Sequence, residues 1–160
     1  MENKTKVTFV CTGNYYRSRF AESYFNYLCD ILKLNYIADS YGLAIHYADE
    51  LAEEHGEISP FSKERMESIG IPNFYFERDR KSLTKDAIEN ADLIVAMDKD
   101  EHTEMILEQF PTYINQFNFF KVKDVFDWEP KKTLDETQKK VEAMINDIMN
   151  EGDLGDSLFN

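Results

Sequence analysis

Short apolar runs alternate along the chain with segments that have the features of helices. Runs of strand length lie at residues 6–10, 36–40, 91–97 and 118–122. Helices are predicted between and after them, at residues 18–33, 59–70, 84–90, 98–109 and 133–149. Strands that alternate with helices pair in parallel, because each helix forms the crossover to the next strand. The pattern therefore predicts an α/β fold: an open four-stranded parallel sheet with helices on both faces.

The helix boundaries follow from different signals. In the first and last helices, apolar positions recur at the spacing of one helix face. Ser59 provides an N-cap, Pro60 suits the first helical position, and Gly70 provides a stop. Thr84 can cap the short helix that follows it. Residues 47–58 are polar and acidic without a clear period, so we expect an exposed loop there with, at most, a helical turn.

The length and composition are those of one soluble globular domain. A chain of 160 residues can bury a core, and 42% hydrophobic with 31% charged residues is typical of such a protein. We expect a single domain over residues 1–160, with a frayed tail from about residue 151. The apolar segment after MENKTK is too short for a signal peptide, and no long apolar run follows. We expect a cytoplasmic protein without a membrane partner.

Charge and metal-binding residues exclude several other classes of function. The formal net charge of -13 repels a nucleic-acid backbone, so no nucleic-acid partner is expected. Cys11 and Cys29 lack a metal-ligand spacing and are expected to be reduced thiols. His46, His55 and His102 lack such a spacing too. We therefore predict neither a metal nor a cofactor.

One segment of the chain has the features of a chemical site. In residues 7–22, VTFVCTGNYYRSRFAE, Cys11 and Arg17 bracket a loop between a strand and a helix. The N–H groups of such a loop can surround an anion, and the helix N-terminus adds about half a positive charge. Arg17 offers a planar fork that matches two phosphoryl oxygens. Cys11 lies in the same positive field, so its thiol pKa should fall below about 8.5 and give a nucleophilic thiolate.

Three further residues of this loop suit an anion site. Gly13 permits a tight turn, and Asn14 tolerates left-handed backbone geometry and can tie the loop together with its amide. Ser18 can donate a hydrogen bond to the thiolate or cap the helix. The alternative is a buried end-of-strand thiol with a solvated arginine, because C-x5-R alone is a loose pattern. The strand before the loop and the helix after it favour the anion site.

The segment resembles the C-x-G-N-x-C-R-S signature of the low-molecular-weight protein tyrosine phosphatase family. The similarity extends along nearly the whole chain, through Asp39-Ser40, residues 58–71 and residues 91–98. It implies hydrolysis of a phosphorylated protein or a small aryl phosphate through a phosphocysteine. Cys11 would be the nucleophile and Arg17 the phosphate clamp. The other residues predicted to bind the substrate are Thr12, Gly13, Asn14, Tyr15, Tyr16, Ser18, Tyr47 and Trp128.

The resemblance also implies a general acid in a loop before the last helix. The family acid usually precedes a proline, and this region reads VKDVFDWEP over residues 122–130. Asp127 is the candidate acid, because a carboxyl near an apolar surface can keep its proton near neutral pH. Trp128 stands where proline is usual. This departure leaves Asp124 and Glu129 open as substitutes.

Two tyrosines in the loop also depart from the family pattern. Tyr16 replaces a second cysteine, which removes the partner that could protect an oxidised Cys11 in a disulfide. Tyr15 occupies the position that contacts the substrate ring, and its bulk favours a flat aromatic group, although it could instead narrow the entrance. Tyr47 or His46 would form the opposite wall, with Trp128 as a possible rim.

Two other functions are weighed against the phosphatase. Arsenate reductases share this scaffold and loop but need further cysteines later in the chain, and none follows Cys29. A phosphate-binding or partner-binding module without catalysis would result if Trp128 displaced the acid loop. The presence of Cys11, Arg17, Ser18 and Asp127 favours the enzyme.

Overall fold

The computed structural model of the protein describes residues 3–124, 129–152, 154 and 158–159. Four parallel strands form one sheet within this part of the chain, in the spatial order β2-β1-β3-β4. The strands are β1 (Thr5–Cys11), β2 (Tyr36–Gly42), β3 (Leu93–Ala96) and β4 (Phe117–Phe119). The prediction of a four-stranded parallel sheet is confirmed. None of the helices described is long and apolar enough to cross a membrane.

Helices cover both faces of this sheet, as the sequence predicts. They are α1 (Arg17–Leu32), α2 (Asp49–His55), α3 (Pro60–Ile69), α4 (Lys85–Asn90), α5 (Lys99–Gln109) and α6 (Pro130–Glu151). Short 3-10 turns lie at Ile45–Ala48, Asn73–Tyr75 and Pro111–Gln116.

The alternation of side chains along β1 divides the core into two layers. Val7 and Phe9 point to one face, where they pack in a cluster with buried residues of α1 and α6. Val10 points to the other face and packs in a cluster with Ile88 of α4 and Ile106 of α5. Because both faces are covered, β1 is buried on both sides, as is usual for a central parallel strand.

The segment after β2 differs from the predicted exposed loop. The structure forms a 3-10 turn at Ile45–Ala48 and then α2, Asp49–His55. Asp49 and Glu50 lie in the first turn of α2, where negative charge stabilises the helix dipole. None of its residues is buried, so this helix has no apolar stripe that periodicity could detect.

Smaller differences occur at two element ends. β4 ends at Phe119 rather than residue 122, although Phe120 and Val122 still donate backbone hydrogen bonds to Ala96 and Met97. The last helix begins at Pro130, three residues before the predicted start, because proline suits the first helical position. The single domain over residues 1–160 with its frayed tail stays a prediction.

Gly42, at the carboxyl end of β2, lies directly against the loop that follows β1. A Cβ atom there would lie 2.7 Å from the Thr12 carbonyl oxygen and 3.0 Å from the Asn14 backbone nitrogen. Both atoms belong to backbone and cannot rotate away. A side chain at this position would therefore displace the loop.

We predict that Gly42→Ala lowers the free energy of unfolding by about 1–3 kcal/mol, the usual cost of overpacking. It should also weaken binding of inorganic phosphate, because the loop moves. Urea unfolding and calorimetry measure the two effects.

Gly70→Ala is the control. Gly70 has φ 93° and no neighbouring atom within 4 Å of an added Cβ, so the change strains a helix end without contacting the loop. It should lower stability and leave phosphate affinity unaltered. Equal phosphate affinities in both variants would contradict the role given to Gly42.

Candidate active site

The loop between β1 and α1 turns its carbonyl groups away from its centre. Five carbonyl oxygens of residues 11–16 accept hydrogen bonds from other parts of the chain. The donors are the N–H groups of Leu43, Ala44 and Ser59, the Arg19 guanidinium and the Ser62 hydroxyl. The N–H groups of residues 13–16 donate to no other group in the described ranges. These amides, with the N-terminus of α1, form a cradle for an anion.

Asn14 fixes the shape of this loop from beneath. Its backbone has φ 49°, a left-handed conformation that asparagine tolerates. Its side-chain amide donates to the hydroxyls of Ser18 (3.0 Å) and Ser40 (2.9 Å). Its side-chain oxygen accepts from the Lys81 N–H (2.9 Å) and the Arg78 guanidinium (3.1 Å). All hydrogen-bonding positions of the amide are occupied, which makes the turn rigid.

Cys11 ends β1 at the edge of the cradle. Its Sγ lies 2.9 Å from the Ser18 hydroxyl oxygen. Because Asn14 donates to that same oxygen, the Ser18 hydrogen is left to donate to the sulfur. The residue is largely buried, yet it lines a cavity of about 850 Å³ that opens to solvent.

Arg17, the first residue of α1, is buried beside this cysteine. Its Nη1 and Nη2 atoms donate to the two oxygens of Glu101, at 3.0 and 2.7 Å, and Nη1 also donates to the Val122 carbonyl (2.9 Å). Burial by itself would lower the pKa of Arg17, but the hydrogen bond with Glu101 raises it above its ordinary value. The predicted phosphate clamp is therefore charged and held in place.

Arg19 is a second buried arginine, which the sequence analysis did not single out. It donates to four carbonyl oxygens, those of Asn14 (3.3 Å), Glu57 (3.0 Å), Phe76 (3.0 Å) and Arg78 (2.6 Å). Burial, together with the nearby charge of Arg78, lowers its pKa to about 10, so it stays charged at neutral pH. Nothing in its local sequence distinguishes it from a solvated residue in the first turn of a helix.

Glu101 is the other residue that sequence reasoning missed. It lies in the first turn of α5 and lines the cavity with Cys11 and Arg17. An acidic residue in a first helical turn is normally explained by the helix dipole, so the sequence gives no separate signal for it. Only the packing of α5 against the loop brings it to Arg17.

The predicted binding residues divide into two groups. Thr12, Gly13, Tyr15, Tyr16 and Tyr47 line the cavity that Cys11 and Arg17 share. Asn14 and Ser18 are fully buried, and their side chains contact the loop from behind.

The rest of the cavity wall is largely apolar. Leu51 and Phe61 also line it, and both are exposed to solvent. His46 packs its ring on Tyr47, with ring centroids 4.4 Å apart, and is not part of the wall itself.

The structure describes only some of the candidate acids, and these differ in whether they line the cavity. Asp127 and Trp128 lie outside the described residues. Asp124 lines the cavity, with Oδ2 3.8 Å from Arg17 Nη2, whereas Glu129 is exposed and does not line it. No group of three metal-binding side chains is close enough to hold an ion in the described part of the chain.

The chain is similar to known proteins over most of its length. It is 30% identical over 107 residues to a protein-arginine-phosphatase of Bacillus subtilis (strain 168), covering 67% of this chain and 64% of that protein. It is 26% identical over 119 residues to an arsenate reductase of Brevibacillus brevis, covering 74% and 76% of the two chains.

Solved structures share the fold. The low molecular weight protein tyrosine phosphatase from T. tengcongensis has a TM-score of 0.72 and 26% identity, with 89% of this chain and 99% of that chain covered. The Streptococcus pyogenes phosphatase is similar in fold alone, with a TM-score of 0.71, 20% identity, and 92% and 95% covered.

A family model adds the decisive match. The model described as "Low molecular weight phosphotyrosine protein phosphatase" matches residues 6–151. This range includes the loop between Cys11 and Arg17, strands β2, β3 and β4, and all of β1 except Thr5. The resemblance noted in the sequence is confirmed, and the chain belongs to the low molecular weight phosphotyrosine protein phosphatase family.

Proposed function

We propose that this chain hydrolyses phosphotyrosine phosphomonoesters through a phosphocysteine on Cys11. The observation that supports this most is the loop in which carbonyl groups point outward and the amides of residues 13–16 remain available for an anion. Cys11 stands at its edge and Arg17 beside it. Family membership makes hydrolysis the expected chemistry.

The proposed reaction has two steps. The Cys11 thiolate attacks phosphorus, the bond to the tyrosyl oxygen breaks, and a carboxylic acid transfers its proton to that oxygen. Water then attacks the phosphocysteine, the carboxylate accepts a proton from the water, and inorganic phosphate leaves with the thiolate restored. Arg17 and the loop amides balance the charge on the phosphoryl oxygens. This scheme needs no cofactor.

Asp127 is the proposed general acid of the first step and general base of the second, with Asp124 and Glu129 as alternatives. Asp124 has the support of lining the cavity near Arg17. Asp127 has the support of its place in the sequence before the last helix, where the family acid lies.

An aromatic phosphoester is the proposed substrate. Tyr15, Tyr47, Leu51 and Phe61 give the cavity an apolar wall that suits a phenyl ring and apolar residues next to it. The name of the Bacillus subtilis relative also raises phosphoarginine as a candidate. The bulk of Tyr15 favours the flat ring over that slender side chain.

Two other functions have less support. Arsenate reduction, the activity in the name of the Brevibacillus relative, needs a later cysteine to continue a thiol cascade, and this chain has none after Cys29. A binding module without catalysis would not need the Ser18 hydroxyl against the Cys11 sulfur.

We predict that Cys11→Ser lowers kcat for p-nitrophenyl phosphate by about 10⁴-fold or more, because it removes the nucleophile. It should still bind inorganic phosphate, because the amides and Arg17 remain. Arg17→Ala should weaken both binding and turnover, the latter by about 10²- to 10³-fold. Steady-state kinetics and calorimetry measure these effects.

Cys29→Ser is the matched control, since Cys29 is equally buried and lies outside the cavity. It should retain the wild-type rate. An unaltered rate in Cys11→Ser would rule out the covalent mechanism through Cys11.

We predict that Asp127→Ala slows phenyl phosphate more than p-nitrophenyl phosphate. Phenolate is the poorer leaving group and needs the proton, so its loss should exceed the other by about tenfold or more. Asp124→Ala serves as the comparison and should slow both esters by the same factor. Equal losses in Asp127→Ala would move the acid to Asp124 or Glu129.

We predict that Leu51→Ser and Phe61→Ser each lower kcat/KM for phosphotyrosine peptides with apolar neighbours by about 3- to 10-fold. Each removes apolar surface that such a peptide would bury. The rate with p-nitrophenyl phosphate, which lacks neighbouring residues, should change less than twofold.

Leu107→Ser is the control for this surface. Leu107 is 46% exposed, close to the 48% of Leu51, but does not line the cavity. The same loss of peptide activity in Leu107→Ser would show that the wall does not bind the peptide.

A further inference from the structure

We propose that Glu101 is a positioning residue of this active site. It holds Arg17 through the Nη atoms so that the Nε edge of the guanidinium is left for the anion, and its negative charge keeps phosphate binding weak enough for the product to leave. This inference rests on the proposed phosphatase function. It assigns a role to a side chain that neither attacks the substrate nor supplies a proton.

The contacts of Arg17 show which part of the guanidinium is left for a ligand. A guanidinium has five N–H groups. Two of them, one on each Nη atom, donate to the Glu101 oxygens, and a third donates from Nη1 to the Val122 carbonyl. Among the described residues, the Nε–H and the second Nη2–H form no hydrogen bond, and Asp124 Oδ2 lies 3.8 Å from Nη2. These two N–H groups lie on one edge of the planar group and match two phosphoryl oxygens.

Other side chains hold Glu101 in turn. The Thr12 hydroxyl donates to its Oε2 at 2.6 Å, and the His102 Nε2 lies 3.0 Å from the same oxygen. His102 Nδ1 accepts the Asp98 backbone N–H at 3.2 Å, so the ring hydrogen is on Nε2 and points at Glu101 and Thr12. His102 is completely buried, which prevents this arrangement from rotating.

Glu101 is therefore a fixed negative charge. Burial would raise its pKa, but the hydrogen bonds from His102 and Arg17 outweigh burial and hold the pKa well below its usual range. The carboxylate stays ionised at every pH at which the enzyme would work. It neutralises part of the Arg17 charge, and it repels a phosphate dianion that binds to the same guanidinium.

Glu101 is expected to favour turnover and to weaken phosphate binding, for two different reasons. A fixed guanidinium is already oriented when the substrate arrives, which favours the transition state. The adjacent carboxylate opposes bound phosphate in the ground state and so prevents tight product inhibition. A salt bridge that only stabilised the fold would have neither effect.

The test is Glu101→Gln, which removes the charge and keeps the shape of the side chain. We expect kcat for p-nitrophenyl phosphate to fall by about tenfold or more, because Arg17 is less firmly oriented. We expect KM and the inhibition constant of inorganic phosphate each to fall by about tenfold, because the repulsion is gone. A purely structural role would leave the phosphate inhibition constant unaltered.

Glu101→Asp separates orientation from charge. It keeps the negative charge but is one methylene shorter, so it should lose kcat while the phosphate inhibition constant stays within threefold of wild type. Glu104→Gln is the control for net charge, because Glu104 is exposed on the same helix. It should match wild type in every constant.

Binding is also measured by calorimetry with tungstate in the Cys11→Ser background, where turnover plays no part. If the wild-type protein hydrolyses no phosphoester, the proposed function fails, yet tighter tungstate binding in Glu101→Gln would still support the charge effect. Tungstate affinity within twofold of the parent overturns the charge effect, and kcat within twofold of wild type in Glu101→Gln overturns the positioning role. Should Glu101→Gln fail to fold, a wild-type kcat in Glu101→Asp overturns the proposal.

Discussion

The direction of the backbone in one loop is the constraint on which the rest of the site depends. A peptide group presents its N–H and its carbonyl on opposite sides, so each outward carbonyl of residues 11–16 turns an amide toward the centre. Those carbonyls accept hydrogen bonds from the residues that follow β2, from the segment before α3, and from Arg19. Hydrogen bonds within the chain therefore hold the cradle in shape, which is the condition for electrostatic stabilisation without reorganisation.

The arginines near the loop differ in whether they are paired with a carboxylate. Arg17 is paired with Glu101, and Arg78 is paired with Glu22. Arg19 instead donates to carbonyl oxygens alone among the residues described. A buried cation without a paired carboxylate leaves a positive potential beneath the loop, which suits a phosphoryl dianion. Arg19 also donates hydrogen bonds to three separate segments of the chain. Stability and anion binding therefore both depend on this side chain.

The sheet and the residues of the cavity wall determine different properties of the site. Parallel strands end at one edge of the sheet, and ligands of such sheets bind there whatever the side chains are. The wall formed by Tyr15, Tyr47, Leu51 and Phe61 lies on helices and turns outside the sheet. Fold similarity to solved phosphatases therefore describes the position of the site, whereas the wall residues bear on the choice of substrate.

The sequence by itself determined the strand, loop and helix of residues 7–22 and the α/β class. These depend on local periodicity and on a spacing of six residues between Cys11 and Arg17, which short-range geometry fixes. α2 escaped detection because it buries no apolar residue. Asp127 and Trp128 remain predictions, because they lie outside the described residues.

Tertiary structure alone decided the partners of the arginines. Glu101 is 84 residues from Arg17 in sequence and meets it because β1 and β3 pair in parallel, with Val10 opposite Ala96, so that α5 begins beside the loop. Arg19 meets the carbonyls of Glu57 and Phe76 for the same kind of reason. Sequence patterns record which residue types are present. They do not record which distant backbone groups the fold brings within 3 Å of them.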